Sequence, residues 1–257
     1  MNETNGGLAP HLFSRLRSVT FKRPDFAIDL FDRLFVSSLP WSQLQSLKFF
    51  VYNDNPRCFV DILRPIPILQ VLHFSLCRGL LDGLTMPALW DIFIKVDSLN
   101  GTAVDNVLRS FTCPVLTKFT LKTFARWTSE TYGIIKQQYN FKRLQEVNFL
   151  KGPALPVSSI LQDASMLHSL SLERDGIMDN IAIVGLSDGS LGRFLRRLRL
   201  HYIACNVEVL DMVEAWKKTV DELLEHGCTW AVYMNENKNY QKRVSALKDA
   251  GITIRFL

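Results

Sequence analysis

Gly185-Leu186-Ser187-Asp188-Gly189 spells GxSxG, the spacing that in an α/β hydrolase lifts a serine hydroxyl onto a strained strand-to-helix turn. An apolar run, Asn180-Ile-Ala-Ile-Val184, precedes it and a helix-like Leu191-Gly-Arg-Phe-Leu195 follows. A nucleophile at Ser187 would need an acid and a later histidine, with His201 and His226 the candidates. The competing reading makes 179–189 the helix and loop of a repeating unit that leads into a strand at 196–200. The spacing fits that unit without strain, and short motifs of this kind recur by accident. The expectation is therefore a protein that is not an enzyme, with a serine hydrolase using Ser187 as the alternative.

Other reactive groups are scattered. The five histidines, His11, His73, His168, His201 and His226, show no metal-ligand spacing such as HExxH. The five cysteines, Cys58, Cys77, Cys113, Cys205 and Cys228, are far apart and include no CxxC pair, so they read as reduced core thiols. No GxxxxGK[ST] loop is present to cradle phosphate. No metal, cofactor or catalytic residue is expected. Arg193, Arg196, Arg197 and Arg199 form a local basic cluster, which reads as a solvated face or as a contact for an acidic or phosphorylated partner.

The 257 residues are 47% hydrophobic and 21% charged, enough apolar material for a sizeable core. A net charge of +5, from 30 basic and 25 acidic residues, is too small and too dispersed to imply a nucleic-acid partner. The polar start, Met1-Asn-Glu-Thr-Asn-Gly-Gly7, lacks the features of a secretory signal. No apolar run approaches the roughly 18 residues of a membrane helix. Together these indicate a cytoplasmic or nuclear protein with no membrane partner.

What must position any site is a recurring pattern: apolar, two variable residues, apolar, one variable, apolar. It runs Leu16-x-x-Val19-x-Phe21, Leu44-x-x-Leu47-x-Phe49, Leu69-x-x-Leu72-x-Phe74 and Leu89-x-x-Ile92-x-Ile94. It continues as Leu116-x-x-Phe119-x-Leu121, Leu144-x-x-Val147-x-Phe149, Leu167-x-x-Leu170-x-Leu172 and Leu195-x-x-Leu198-x-Leu200. Successive copies start 28, 25, 20, 27, 28, 23 and 28 residues apart, inside the window of about 20–29 residues for a leucine-rich repeat. The alternating part has the period of a strand with one buried face. Helical stripes lie between copies, one at Ala27, Ile28, Phe31, Leu34 and Phe35, another at Ala103, Val104, Val107, Leu108 and Phe111 with Thr102 as N-cap. Pro40, Pro67, Pro87 and Pro114 precede the first apolar position of a copy, where a missing N–H costs no ladder bond.

Strand then helix, repeated, predicts an α/β leucine-rich-repeat solenoid: a curved parallel sheet on one side and helices on the other. Residues 1–12 read as a linker and 13–205 as irregular repeats. Residues 206–257 read as divergent α/β units that cap the same solenoid. In that last part a helix spans about Val207 to His226, a strand Thr229 to Met234, a helix Asn239 to Ala250 and a closing strand Ile252 to Phe256.

Residues 8–205 resemble the leucine-rich-repeat region of F-box proteins, with irregular repeats of the fungal type. The resemblance is carried by Leu39-Pro-Trp-Ser-Gln-Leu-Gln-Ser-Leu47, Met86-Pro-Ala-Leu89, Thr112-Cys-Pro-Val-Leu116 and Phe194-Leu-Arg-Arg-Leu-Arg-Leu200. Leu69-Gln-Val-Leu-His-Phe-Ser-Leu-Cys77 also puts a cysteine where intracellular repeats often carry Cys or Asn, and Leu247-Lys-Asp-Ala-Gly-Ile-Thr-Ile254 is similar to the end of such proteins. The first repeat begins by residue 16, which leaves no room upstream for an F-box, so the adaptor-binding half is expected to be absent from this chain. The resemblance then implies the substrate-recognition half of a ubiquitin-ligase receptor, meeting the ligase adaptor only if an F-box lies upstream.

The expected binding surface is the strand face turned away from the core. Seven basic and three acidic residues fall on it across the eight copies, an excess of four positive charges. The residues singled out for partner binding are Lys22, Lys48, Lys95, Lys118, Lys122, Arg197 and Arg199, with Phe50 and Phe93 as apolar anchors; Leu150 is a third apolar residue on the same face. Eight strands about 4.8 Å apart span roughly 34 Å, enough for a protein interface. The expected partner is a protein, acidic or phosphorylated, and the remaining alternative is a scaffold or degenerate repeat protein with no specific partner.

Overall fold

A turn of one shape precedes the strands. The N–H of Leu44 donates to the carbonyl of Trp41 (3.0 Å), Leu69 to Ile66 (3.3 Å), Leu89 to Met86 (3.3 Å) and Leu116 to Cys113 (3.2 Å). Leu144 donates to Phe141 (3.2 Å), Leu167 to Ala164 (3.1 Å) and Leu195 to Gly192 (2.8 Å). These are four-residue turns that end on the first leucine of each copy. Pro67, Pro87 and Pro114 occupy the second position of their turns, where the proline ring supplies the required φ and no N–H is needed. Pro40 sits two residues earlier, just ahead of its turn, its carbonyl accepting from Gln43 N–H at 3.2 Å. The leucines that close these turns are buried, six of the seven with no exposed surface and Leu167 with 1%.

The computed structural model describes residues 15–21, 40–50, 56–76, 83–150, 155–173, 178–200, 207–223, 230–234 and 238–256. The turns feed strands β1 (Ser18–Phe21), β2 (Ser46–Phe49), β3 (Val71–Leu76), β5 (Asp91–Val96), β7 (Lys118–Thr123), β8 (Glu146–Leu150), β9 (Ser169–Leu172) and β10 (Arg197–Leu200). They form one eight-stranded sheet, all parallel, in the order of the chain. Two short strands, β4 (Leu84–Thr85) and β6 (Phe111–Thr112), pair in parallel beside it. The chain is thus α/β with a parallel sheet.

Register follows the sequence pattern without a slip. Val19, Leu47, Leu72, Ile92, Phe119, Val147, Leu170 and Leu198 form one row across the sheet. Phe21, Phe49, Phe74, Ile94, Leu121, Phe149 and Leu172 form the next. Because strand side chains alternate, both rows lie on one face. That face meets the helices in a single buried cluster. Aromatic contacts fill it: Phe74 against Phe111 with centroids 5.3 Å apart, Phe119 against Tyr139 at 4.9 Å, Trp127 against Phe149 at 5.0 Å.

The helices among the described residues are α1 (Pro56–Leu63), α2 (Gly101–Arg109), α3 (Thr131–Gln138), α4 (Val157–Asp163), α5 (Asn180–Ser187), α6 (Val207–Leu223) and α7 (Gln241–Asp249). None is long and apolar enough to cross a membrane. The stripe expected at 27–35 lies outside the described residues. The stripe at 103–111 is α2, with two corrections. Its N-cap is Asn100, whose side chain accepts from Thr102 N–H at 3.0 Å, rather than Thr102. Phe111 has left the helix for β6. In the last part of the chain β11 (Trp230–Met234) and β12 (Ile252–Phe256) form a separate parallel pair. Val209, Leu210, Val213 and Trp216 of α6, Val244 and Leu247 of α7, and Ile252 join the same buried cluster as the earlier units.

Carboxylates stitch neighbouring helices. Buried Asp105 of α2 accepts from Thr128 Oγ1 at 2.6 Å and from Thr131 Oγ1, at the start of α3, at 2.5 Å. Asp163 at the end of α4 accepts from Tyr132 Oη at 3.0 Å and pairs with Lys136 Nζ at 2.8 Å, both on α3. Asp179 caps α5 by accepting from Ala182 N–H at 3.0 Å, and its second oxygen accepts from Ser158 N–H of α4 at 3.1 Å. Arg243 of α7 reaches Glu214 Oε1 of α6 at 2.9 Å and also Asp211.

Partial burial pushes the Asp179 carboxyl upward, but the N–H groups of Ser158 and Ala182 and the Ser158 hydroxyl outweigh it and hold the carboxyl below its ordinary range. The group therefore stabilises the fold above the unfolded carboxylate pKa, and that contribution disappears as pH falls through the lower folded value. Asp179→Ala is expected to cost about 1–2 kcal/mol in urea unfolding at pH 7. The gap from the native chain should close at acid pH. An unchanged gap down to the acid limb would show that the carboxylate charge plays no part.

Candidate functional site

The strand face opposite the core is built by register. Its first row is Ser18, Ser46, Val71, Asp91, Lys118, Glu146, Ser169 and Arg197; its second is Thr20, Lys48, His73, Phe93, Thr120, Asn148, Ser171 and Arg199. Lys95, Lys122 and Leu150 are neighbours in a third. Lys22, the first residue expected on this face, lies outside the described residues.

Phe50 and Phe93 come together. Their rings meet edge to face, centroids 6.0 Å apart, and the His73 ring lies 5.6 Å from Phe93. All three are partly exposed. The three rings form an aromatic patch at the β2–β5 end of the face. Leu150 stands apart from it, next to Lys122.

Several charged residues of this face pair with one another. Lys118 Nζ lies 3.8 Å from Asp91 Oδ2 and 3.4 Å from Glu146 Oε1, so one ammonium serves two carboxylates. Lys95 Nζ is held by Asp97 at 2.5 Å, and Ser75 Oγ donates to the same carboxylate at 3.1 Å. Asn148 Nδ2 donates to Glu146 Oε1 at 2.9 Å and to Thr120 Oγ1 at 3.1 Å. Lys48, Lys122 and Arg197 remain as cations with no ion pair among the described residues. Positive charge is therefore displaced to the Lys48 and Lys122 positions and to the Arg197–Arg199 edge, while the middle of the first row is acidic.

Asp91 is only 6% exposed. Its Oδ1 lies 3.4 Å from His73 Nε2, yet the alignment makes no hydrogen bond, and both atoms are closed off from solvent. At 3.4 Å the contact is long for a charge-assisted hydrogen bond. Thr120 and Ser171 are buried on the same face, short side chains flanked by longer ones one strand spacing away. His73, partly exposed, belongs to this polar layer.

Asp97 and the His73–Asp91 contact were not found by summing charges. The alternation Asp91, Lys118, Glu146 was visible once copies are aligned on their first leucines. Asp97 follows its strand, where the repeat pattern assigns no side-chain direction.

The serine motif has a different geometry from a nucleophile elbow. The run 180–184 is the first half of α5, not a strand, and Ser187 is the last residue of that helix. Its hydroxyl donates to the Ile183 carbonyl at 2.7 Å. Both glycines of the motif have packing or backbone reasons. A Cβ on Gly185 would come within 2.6 Å of Leu191 Cγ, and Gly189 follows the helix with φ of 74°, the left-handed region that favours glycine. A shallow groove of about 520 Å³ beside α5 is bordered by Ile181, Val184, Leu191, Gln162 and Asn180. Ser187 is not part of its lining. His201 and His226 lie outside the described residues.

Among the described residues no group of three or more His, Cys, Asp or Glu could hold a metal ion. Cys113 is buried, and burial pushes its thiol up to about 12. Cys77, Cys205 and Cys228 lie outside the described residues.

No protein-family model matches the sequence, and no curated protein matches it.

Two outcomes follow from these environments. A fluorophosphonate probe should leave Ser187 unlabelled, with identical labelling of the native chain and Ser187→Ala; labelling lost in the variant would restore the hydrolase reading. Iodoacetamide at pH 8 should spare Cys113 in the folded chain and modify it in 8 M urea, read by peptide mass mapping, because only the thiolate reacts.

Proposed function

We propose that the chain is a leucine-rich-repeat solenoid that binds another protein through the strand face. We further propose that it acts as the substrate-recognition half of an F-box-type ubiquitin-ligase receptor. The observation that carries the binding reading is the register: eight parallel strands align the non-core residues of successive units into continuous rows. A surface of that kind offers many side chains at fixed spacing on a rigid support, which a partner can read by local complementarity. Residues 206–257 are divergent units that close the end of the solenoid and shield its apolar edge.

The partner is a protein carrying acidic or phosphorylated groups, because Lys48, Lys122 and Arg197 have no carboxylate partner among the described residues, whereas Lys95 and Lys118 do. The receptor role rests on the resemblance of residues 8–205 to F-box leucine-rich repeats. Full-length transcript sequencing through the 5′ end tests it: an in-frame F-box upstream would supply the adaptor-binding half. A start at Met1 would leave a free-standing repeat protein.

The binding reading is tested by proximity labelling with the native chain and with Lys48→Glu/Lys122→Glu/Arg197→Glu. Lys48 and Lys122 are half-buried and Arg197 is exposed; charge changes at the surface usually move stability by no more than about 0.5 kcal/mol each, so folding should persist by circular dichroism. Specific neighbours of the native chain should be lost in the variant. An unchanged set of neighbours would favour a scaffold with no specific partner on this face.

A further inference from the structure

The strand face is electrostatically divided by its own aromatic patch. On one border Asp91 and Glu146 share the Lys118 ammonium, at 3.8 and 3.4 Å. That border holds two carboxylates to one lysine. On the other border Lys95 is matched by Asp97 at 2.5 Å, and its register neighbour Lys122 is left in surplus. Lys48, beside His73 in the second row, adds a cation two residues before Phe50 on the same strand. Between the borders lie His73 and Phe93, in the same row as Lys48, and Phe50 meets Phe93 from the level of Lys95.

The borders are far enough apart to act separately. Asp91 and Lys95 are the first and fifth residues of β5, a run of about 13 Å along a strand. That exceeds the screening length of about 8 Å at physiological ionic strength. A partner carboxylate is therefore attracted at one border and repelled at the other.

We infer that the face takes its partner in one orientation, with an apolar side chain seated on Phe50 and Phe93 and carboxylates directed to Lys48 and Lys122, away from Asp91 and Glu146. This rests on the strand-face reading of function. The occupant is a protein segment carrying an aromatic or large aliphatic residue with Asp or Glu nearby. Part-exposed aromatic rings held against each other are preorganised, so seating an apolar side chain on them costs little ordering. Interface energy concentrates at such anchors, while the flanking charges set orientation and exclude wrong partners.

The test uses random dodecapeptides displayed on phage and selected on the full chain. The winners are synthesised and titrated by fluorescence anisotropy at pH 7.5. Selected peptides should carry an apolar residue with acidic neighbours. Phe93→Ala should weaken them by roughly tenfold or more, and Lys48→Glu and Lys122→Glu by roughly three- to tenfold each. Glu146→Gln, which removes a repelling carboxylate and releases Lys118, should strengthen them. If Phe93→Ala perturbs the fold by circular dichroism, Phe50→Ala and the lysine reversals carry the test. Peptides that bind in an Arg197-dependent manner but ignore Phe50, Phe93 and Lys122 would overturn the orientation and leave the strand-face reading intact. Weaker binding in Glu146→Gln would overturn the orientation as well. Peptides indifferent to every strand-face variant, or no enrichment over an unrelated protein, would overturn both.

Discussion

One backbone carbonyl per unit holds the architecture in step. The carbonyl of Arg17 accepts from both Gln45 and Ser46 N–H, that of Gln45 from Gln70 and Val71, and that of Gln70 from Trp90 and Asp91. Trp90, Thr117, Gln145 and His168 repeat the arrangement toward the next unit. From Gln45 onward the acceptor lies just after the buried leucine that ends each turn, so the turn and the shared acceptor fix where the strand begins. Once that point is fixed, register follows, and with it the face on which each side chain lies, because a one-residue slip would exchange the two faces. Neither row of apolar residues can be buried by a single unit. The sheet and the core therefore form together, each unit supplying the surface that covers its neighbour.

The helical layer solves a different problem. Units of unequal length, starting 20 to 28 residues apart, cannot stack identical helices, and the connections vary accordingly. Asp105, Asp163 and Asp179 supply what regular repeats obtain from repetition, each tying a helix or its start to the adjacent one. Tyr139 adds a buried link, donating from its hydroxyl to the Leu108 carbonyl at 2.9 Å. Buried polar groups with both partners in place position helices more sharply than apolar packing alone. Gly101 shows how tight the junctions are: a Cβ there would meet the Arg126 carbonyl oxygen at 2.4 Å.

The strands were legible because each carries three signals at fixed offsets: the first leucine, the alternation and, in several units, a proline in the turn. The helices carried only a stripe, so their ends were less well marked. Asn100 and Thr102 are both good caps by type, and only the fold decides that Asn100 takes the role. The pair β4–β6 was invisible, since two residues are too few to show a period. It is held by the Leu84 N–H on the Ser110 carbonyl at 2.7 Å and the Met86 N–H on the Thr112 carbonyl at 2.9 Å. The GxSxG run illustrates the reverse case, where a motif of five residues is satisfied by helix packing and a left-handed exit.

The candidate surface was legible in its residues and not in its charge. Summation treats each lysine as available, but a parallel sheet places side chains one strand spacing apart, close enough for opposite charges to pair. Lys118 between Asp91 and Glu146, and Lys95 beside Asp97, are spent on the protein itself. The cations that remain are those whose register neighbours are not carboxylates: Lys48 lies next to His73 and Lys122 next to Lys95 and Leu150. What such a surface can recognise is thus set by neighbours across the strands, 20 to 28 residues away along the chain, and by close ones such as Asp97, two residues beyond Lys95. The same register that buries the leucines decides which charges are left to meet a partner.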